Sequence, residues 1–373
     1  MKSFIVVGAG ILGASTAYHL AKNGAKVTLV DRKDKGQATD AAAGIICPWV
    51  SQRRNKAWYQ LAKGGAKYYP TLIKELESVG ESDTGYDQVG AICLHSEEEK
   101  LDKLEERANK RRDDAPEIGE ITRLSASETQ ALFPPLSDRY SSVHISGAGR
   151  VNGRAVRTSL IRVAINYGVH LINGDAKLVF TNNIVNGIEV NGKIVEADQV
   201  IVTAGAWSKE LLEPLGISFL VTPQKAQIIH LGLPGFETSK WPVVMPPNDQ
   251  YLLSFEDGRV VVGATHENDV GFDHRVTAGG VLEVLKKALA IAPGLANGTL
   301  LETRVGYRPF TPGFLPVIGE LPNFKGILVA NGLGASGLTC GPYVGAELAK
   351  LVLGHSTEIN INNYDVKEAI STK

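Results

Sequence analysis

Short apolar runs alternate with helical patterns of apolar positions from the first residues of the chain. Residues 3–7 (SFIVV) predict a strand, the sequence GAGILG follows, and 14–24 (ASTAYHLAKNG) carries apolar positions at helical spacing until Gly24. A second strand is predicted at 26–31 (KVTLVD). The chain therefore begins with a β-α-β unit.

The alternation of strand and helix returns in the later parts of the chain. Residues 159–168 (SLIRVAINYG) predict a helix, and three runs after it predict strands. Near the other end, 326–332 (GILVANG) predicts a strand that leads through a glycine-rich turn to a helix at 341–354. The three intermediate runs are 169–173, 184–192 and 199–205.

A second group of segments has a different pattern. Residues 68–80 and 97–114 look helical, and the runs 251–255 and 258–265 predict a hairpin that turns at 256–258. These segments indicate a second domain that carries an antiparallel sheet. The run of charges at 97–114 predicts a solvated helical face, to which we assign no function.

Composition and charge narrow the class of protein. The chain has 373 residues, of which 43% are hydrophobic and 21% charged, as in an ordinary globular protein of two domains. A formal net charge of -1 offers no basic field, so we expect no nucleic-acid partner. No run reaches the roughly 18 apolar residues that span a bilayer. Cys47, Cys93 and Cys340 form no CxxC pair, which fits a reducing cytoplasm, and no metal site is predicted.

Three glycines between the first strand and the first helix form a dinucleotide-binding pattern. Gly8 permits a tight turn, Gly10 lets a pyrophosphate approach the backbone, and Gly13 lets the helix pack on its strand. Asp31 ends the second strand, where a carboxylate accepts hydrogen bonds from a ribose and repels the 2′-phosphate of NADP. The pattern does not separate FAD from NAD, and a glycine-rich turn without a ligand is the alternative.

Four further patches carry a resemblance to a known family. They are 39–49 (TDAAAGIICPW), 199–208 (QVIVTAGAWS), 306–319 (GYRPFTPGFLPVIG) and 331–342 (NGLGASGLTCGP). Together with the glycine pattern, and in this order over nearly the whole chain, they resemble the D-amino-acid-oxidase-like (DAO) family of flavoenzymes. The resemblance points to its glycine oxidase and D-amino-acid dehydrogenase branch.

The resemblance implies a two-domain α/β fold. An FAD-binding, Rossmann-like domain of the glutathione-reductase type is joined to an α+β substrate-binding domain with an antiparallel sheet. The FAD domain is expected to be discontinuous, with residues 1–80, 145–215 and 310–373. The substrate-binding domain is expected at 81–144 and 216–309.

The resemblance also implies the cofactor and the residues that hold it. FAD is expected to be noncovalent, because Val305 and Gly306 stand where the sarcosine oxidase branch has its flavin-linked cysteine. The glycine-rich turn after 326–332 would bring backbone N–H groups and a helix N-terminus to the flavin, unless it is a plain helix start. The implied cofactor-binding residues are Gly8, Gly10, Ile11, Leu12, Gly13, Asp31, Arg32, Lys33, Thr39, Ala43, Gly44, Ile45, Lys177, Thr203, Ala204, Gly205, Trp207, Arg308, Gly332, Leu333, Gly334, Ala335, Ser336, Gly337, Leu338 and Thr339.

Three residues are implied at the substrate. Arg308 occupies the family position of the cation that binds the substrate carboxylate, a task that suits its planar fork, with an interdomain ion pair as the alternative. Tyr251 stands where glycine oxidases carry a tyrosine for the same carboxylate, and His266 follows the next strand. A core tyrosine and a structural histidine are the alternatives. Some glycine oxidases have a second arginine where this chain has Ala335, so the pocket is not a copy of theirs.

The implied reaction is the oxidation of a C–N bond. A hydride passes from the α-carbon of glycine, a D-amino acid or an N-substituted amino acid to FAD, and the imine is hydrolysed to a 2-oxo acid. Oxygen or another carrier then accepts the electrons, and a homo-oligomer is possible. The alternatives are a flavoprotein subunit without turnover of its own and an NAD dehydrogenase.

Overall fold

The computed structural model describes residues 2–371, which contain nine α-helices. None of the helices in this part of the chain combines the length and the apolar character that crossing a bilayer requires. The helices are α1 (Ile11–Lys22), α2 (Ala38–Ala41), α3 (Lys56–Ser78), α4 (Glu98–Arg112), α5 (Ala126–Leu132), α6 (Gly153–Asn166), α7 (Ser208–Leu212), α8 (Ala278–Ile291) and α9 (Gly337–Leu353).

Nineteen strands lie between these helices in the described residues. The first ten are β1 (Ser3–Val7), β2 (Lys26–Asp31), β3 (Ile45–Ile46), β4 (Ala91–His95), β5 (Ile121–Leu124), β6 (Ser141–Ile145), β7 (Gly149–Arg150), β8 (His170–Asn173), β9 (Lys177–Thr181) and β10 (Ile184–Val190). The others are β11 (Lys193–Glu196), β12 (Gln199–Val202), β13 (Thr222–Gly232), β14 (Val243–Met245), β15 (Tyr251–Ser254), β16 (Arg259–Gly263), β17 (Thr299–Phe310), β18 (Val317–Glu320) and β19 (Ile327–Asn331).

The first large sheet is six-stranded, with the order β18-β19-β12-β1-β2-β8. Its strands are parallel except β18, which is antiparallel to β19. Alternate residues of β1 point to opposite faces. Phe4 and Val6 join the core with α1 and α9, while Ile5 and Val7 join the core that includes the small sheet β11-β10-β9. Both faces are buried, as expected for a parallel sheet.

The second large sheet has eight strands in the order β17-β13-β16-β15-β14-β4-β6-β5. Its neighbours are antiparallel apart from β14 and β4. Ile229 and Leu231 of β13 pack with Val284 of α8 on one face, whereas Ala226 and Ile228 join the core shared with α1 and α9 on the other. The second face therefore lies toward the parallel sheet and its helices.

The hydrophobic pattern predicts some of these elements and misses others, among them the long strands β13 and β17 and the helix α8. Strands at 3–7 and 26–31, and the hairpin that turns at 256–258, are present. The two large sheets also draw their strands from different parts of the chain, although the exact domain boundaries stay a prediction.

The charged helix α4 is more than the solvated face that its sequence predicts. Arg107 donates a hydrogen bond to the carbonyl oxygen of Val50 at 3.1 Å, and Arg111 donates to those of Trp49 and Ser51 at 2.6 and 2.8 Å. That prediction was incomplete because these two long side chains reach back over a distant loop. They hold the segment that follows the small-residue patch 39–49.

A close contact between α3 and α9 fixes the start of α9. A Cβ atom added at Gly65 would lie 2.0 Å from the carbonyl oxygen of Thr339. A backbone oxygen cannot move away without moving its helix, so only glycine permits this approach.

We therefore expect Gly65→Ala to lower the free energy of unfolding by about 1–3 kcal/mol, because it overpacks a helix contact. Chemical denaturation of the purified variant measures this loss. Gly279→Ala in α8 is the control, since a Cβ atom there meets nothing within 4 Å. An equal loss in both variants would contradict the role assigned to the α3–α9 contact.

Candidate active site

A cavity of about 850 Å³ lies at the carboxyl ends of the parallel strands. β1, β2, β12 and β19 all reach it, and the facing wall comes from β13, β15 and β17 of the antiparallel sheet. In open parallel sheets this edge is where nucleotides bind. All the residues implied for FAD or for the substrate line it except Gly13, Lys33 and Ser336, which lie beside it.

The glycine turn after β1 depends on close backbone contacts. Gly8 has a φ of +103°, and a Cβ atom there would lie 2.6 Å from the carbonyl oxygen of Thr203. A Cβ atom at Gly13 would lie 1.8 Å from the carbonyl oxygen of Gly8, so Gly13 contributes by letting α1 pack on β1. The Thr203 hydroxyl donates to the carbonyls of Val7 and Gly8 at 3.0 and 2.9 Å. The start of α1 is thereby held at the cavity.

Asp31 at the end of β2 organises the same corner of the cavity. Its carboxylate accepts hydrogen bonds from the backbone N–H groups of Ala9 and Lys33, at 2.7 and 2.6 Å, and from the Gln37 amide at 2.9 Å. Lys33 does not line the cavity, but its backbone N–H helps to orient the carboxylate of Asp31, which does. A carboxylate offers about four acceptor positions, so one remains for a ribose hydroxyl.

Arg32 is surrounded by acids at this end. It forms ion pairs with Asp34, Asp175 and Glu210 at 2.5, 3.0 and 2.9 Å. The hydrogen bonds that Arg32 donates to Glu210, Asp34 and Asp175 raise its pKa above the usual value. With Asp31 added, this end of the cavity carries an excess of negative charge, which disfavours an additional phosphate group.

Asn331 joins two turns at the opposite end of the cavity. Its side-chain amide donates to the carbonyl of Gly205 at 2.8 Å and to the Ser208 hydroxyl at 2.6 Å. Its side-chain oxygen accepts from the N–H of Gly332, whose φ is +81°. The neighbouring Ser336 hydroxyl instead accepts from the Trp58 indole at 3.0 Å, outside the lining. These contacts aim the start of α9 at the cavity.

Arg308 lies on the facing wall and has neutral partners. Its guanidinium donates to the side-chain oxygen of Gln224 at 2.9 Å and to the carbonyl of Thr265 at 3.4 Å. Burial lowers the pKa of Arg308, and the nearby Tyr251 hydroxyl acts in the opposite direction. Within residues 2–371 it forms no direct ion pair with an acid, which disagrees with the alternative of an interdomain ion pair, and the nearby Asp249 carboxylate also acts to raise its pKa.

Tyr251 and His266 line the cavity beside Arg308. Burial raises the pKa of the Tyr251 phenol, although Arg308 opposes the shift, so the hydroxyl remains a donor at neutral pH. Burial and the charge of Arg308 lower the pKa of His266. Its Nδ1 lies 3.6 Å from a carboxylate oxygen of Asp249, and 41% of its side chain is exposed. The imidazole is therefore neutral near pH 7 and lies at the mouth of the cavity.

Two residues of this wall were missed in the sequence. Gln224 is placed beside Arg308 by the register between β13 and β17, which pairs the two residues directly. Asp249 precedes Tyr251 by two positions and lines the cavity with it. Asp249 lies in the loop before β15, where strand alternation does not apply, and no local signal indicates a partner for Arg308 that is 84 residues away.

The residues present fit FAD. The cavity is large enough for an elongated dinucleotide, and the N-termini of α1 and α9 both reach it. Small residues in its walls let a ligand come close to the backbone. Gly44, for example, has a φ of +94° and would place a Cβ atom 1.8 Å from the carbonyl of Val151.

Comparisons with known proteins agree with this assignment. A family model described as FAD dependent oxidoreductase (DAO) matches residues 3–351. An uncharacterized oxidoreductase, YurR, of Bacillus subtilis (strain 168) is 66% identical over 372 residues, with 100% of each chain covered. Glycine oxidase of Pseudomonas aeruginosa is 30% identical over 362 residues, covering 95% of this chain and 96% of the relative. The crystal structure of iminodiacetate oxidase from Chelativorans sp. BNC1 matches with a TM-score of 0.94 and 48% identity, covering 97% and 98% of the two chains.

We expect Asp31→Asn to weaken FAD binding by about 1.5–3 kcal/mol, or roughly 10- to 150-fold, because hydrogen bonds to a charged group are lost. Titration of the apoprotein with FAD, followed by flavin fluorescence, measures the dissociation constant. Asp198→Asn is matched to it, since Asp198 also accepts a backbone N–H at 2.7 Å but lies away from the cavity. Equal affinities in the two variants would refute the role of Asp31.

Proposed function

The chain belongs to the DAO family of FAD-dependent oxidoreductases, and we propose that it oxidises the C–N bond of a small amino acid with a free α-carboxylate. The substrate classes in question are glycine, D-amino acids and N-substituted amino acids. The alternative of an NAD dehydrogenase is excluded, because the cofactor of the family is FAD.

The proposal rests on the positive charge of Arg308, which has no acid as a direct partner in the described part of the chain. A cation that is shielded from water and has no counter-ion is stabilised when an anion binds to it. The neutral acceptors Gln224 and Thr265 orient the guanidinium but leave its charge uncompensated. A substrate carboxylate supplies the missing charge, and the Tyr251 hydroxyl is placed to donate a second hydrogen bond to it.

Beyond binding the carboxylate, the protein has to position the α-carbon of the substrate next to FAD. FAD, when bound, supplies the two-electron oxidant that takes a hydride from the α-carbon. The substrate nitrogen loses a proton at the same stage, and the resulting imine reacts with water to give a 2-oxo acid and an amine or ammonia. Arg308 and Tyr251 fix the carboxylate, and Ile228 contributes an apolar surface that limits the water in the cavity.

His266 is the third residue that we place at the substrate. Its neutral imidazole at the cavity mouth is suited to a hydrogen bond with the substrate amine. We further propose that FAD is bound noncovalently. Cys340 is completely buried and lies outside the cavity lining, and burial raises the pKa of its thiol to about 12, so it is a poor nucleophile.

Support for amine substrates comes from the relatives. Glycine oxidase is named for a primary amine with one carboxylate, and iminodiacetate oxidase for a secondary amine with two. A flavoprotein subunit without turnover remains the second reading, but it gives no reason for the uncompensated charge of Arg308.

The proposal predicts that an amino acid bleaches the visible flavin bands of the purified protein under anaerobic conditions. We would test glycine, sarcosine, iminodiacetate, proline and several D- and L-amino acids by absorbance spectroscopy. Readmitting air then distinguishes oxygen from another electron acceptor. Flavin that stays oxidised with every amine would refute the proposed reaction and favour the subunit without turnover.

We expect Arg308→Ala to weaken substrate binding by about 1.5–3 kcal/mol or more, while FAD stays bound, because the charge-assisted hydrogen bonds to the carboxylate are lost. Steady-state kinetics with the best amine of the panel give the change in kcat/KM. Arg304→Ala is the control on the same strand, because Arg304 is paired with Glu302 and lies outside the cavity lining. Unchanged kinetics of the Arg308 variant would overturn its assignment.

A further inference from the structure

The charged side chains that line the cavity are unevenly distributed. Among the described residues, its cations are Arg32 and Lys177 at the end with Asp31, and Arg308 on the facing wall. Asp249 is the acid that lines the cavity beside Arg308. The substrate end therefore presents one cation and one carboxylate.

Asp249 is held in place from outside the cavity. Lys287 of α8 donates to its two carboxylate oxygens at 3.0 and 3.1 Å. Lys287 does not line the cavity, and it also donates to Glu283 at 2.8 Å, so its charge is shared between two acids. Gln250, the next residue, donates to a carboxylate oxygen of Asp249 at 3.4 Å and to the carbonyl of Ala264 at 3.0 Å.

The titration of these groups leaves a negative charge at the mouth. Burial favours the protonated form of Asp249, but the hydrogen bonds from Lys287 and Gln250 prevail and lower its pKa. His266 is neutral near pH 7, as its lowered pKa implies. Asp249 and Glu283 thus pair directly with one cation, Lys287, and this group has a net charge of about -1. Arg308 also acts on Asp249, but in the proposed complex its charge is matched by the bound α-carboxylate.

We propose that Asp249 determines the specificity of the proposed oxidation by selecting against a second carboxylate on the substrate nitrogen. The inference rests on the proposed function, with the α-carboxylate bound at Arg308. A zwitterionic substrate then places its cationic or neutral nitrogen side toward Asp249. N-substituents that are neutral or carry a cation are accepted, and N-substituents that end in a carboxylate are disfavoured.

The physical reason is the absence of a second free cation. Within the described part of the chain, a second carboxylate at the mouth would find Lys287 already engaged and His266 uncharged. Repulsion from Asp249 is reduced by solvent, since 49% of its side chain is exposed. Discrimination of roughly tenfold in kcat/KM is the size expected for such a charge at the edge of a site.

The test compares three glycines that differ in the charge of the N-substituent. They are N-(2-aminoethyl)glycine, which ends in a cation, sarcosine, which is neutral, and iminodiacetate, which ends in a carboxylate. We expect the wild-type kcat/KM to fall in that order. Asp249→Asn should raise the ratio of iminodiacetate to sarcosine by roughly tenfold, mainly through KM.

Lys287→Gln is the matched variant, because it removes a positive charge where Asp249→Asn removes a negative one. It removes the cation that shields Asp249 and should lower the ratio of iminodiacetate to sarcosine further. A wild-type preference for iminodiacetate, or a ratio that Asp249→Asn leaves unchanged, would overturn the proposal. An equal loss of kcat/KM for all three substrates would also overturn it, because that result indicates a purely structural role for Asp249.

A binding measurement separates this inference from the proposed reaction. Acetate and malonate are not oxidised, and their binding near a flavin is followed by the shift of its visible spectrum in the FAD-loaded protein. Asp249→Asn should tighten malonate relative to acetate by roughly tenfold, even if no amine is turned over. An unchanged ratio of the two dissociation constants would refute the role of Asp249, whether or not the oxidation is found.

Discussion

The substrate end of the cavity depends on a partly buried cation, Arg308, that has no acid as a direct ion-pair partner among the described residues. Arg308 can be held in this state because neutral oxygens orient it, one from Gln224 and one from Thr265. Gln224 belongs to β13 and Thr265 to the segment just after β16, and the pairing of β13 with β17 sets Gln224 opposite Arg308. The strand order of the antiparallel sheet is therefore a requirement of the site. A carboxylate in place of Gln224 would neutralise Arg308 and remove its attraction for a substrate.

Acidic residues are present close to Arg308 in the sheet, so a lack of acids does not explain why it has no direct ion-pair partner. Lys225, the residue after Gln224, is completely buried on the opposite face of β13. It is paired with Glu267 and Asp273 at 3.4 and 3.2 Å. Two neighbouring positions of β13 thus differ. Lys225 is a cation that two acids neutralise away from the cavity, whereas Gln224 orients Arg308, a cation without an ion-pair partner, inside it. Because even a partly buried charge without an ion-pair partner is costly, this difference is best explained by an anion that completes the second site.

Sequence alone predicted the features that nearby residues determine. The β1-α1-β2 unit and the glycine turn follow from local periodicity and from contacts such as Gly13 against Gly8, which are five residues apart. Resemblance placed Arg308, Tyr251 and His266, whose roles stay predictions. Gln224 was missed because strand register over 84 residues leaves no local trace. Asp249 was missed because it lies in the loop before β15, and its pairing with Lys287 depends on the packing of α8.

The two ends of the site differ in how freely they can change. Around the cofactor, Cβ atoms at Gly8, Gly13 and Gly44 would collide with backbone oxygens, so substitutions there disturb the fold itself. At the mouth, Asp249, Lys287 and His266 are partly exposed, and pairs of this kind contribute at most about 1 kcal/mol to stability. Their charges can therefore be altered at little cost to folding while the cofactor end stays intact. The specificity proposed for Asp249 can thus change independently of the cofactor end.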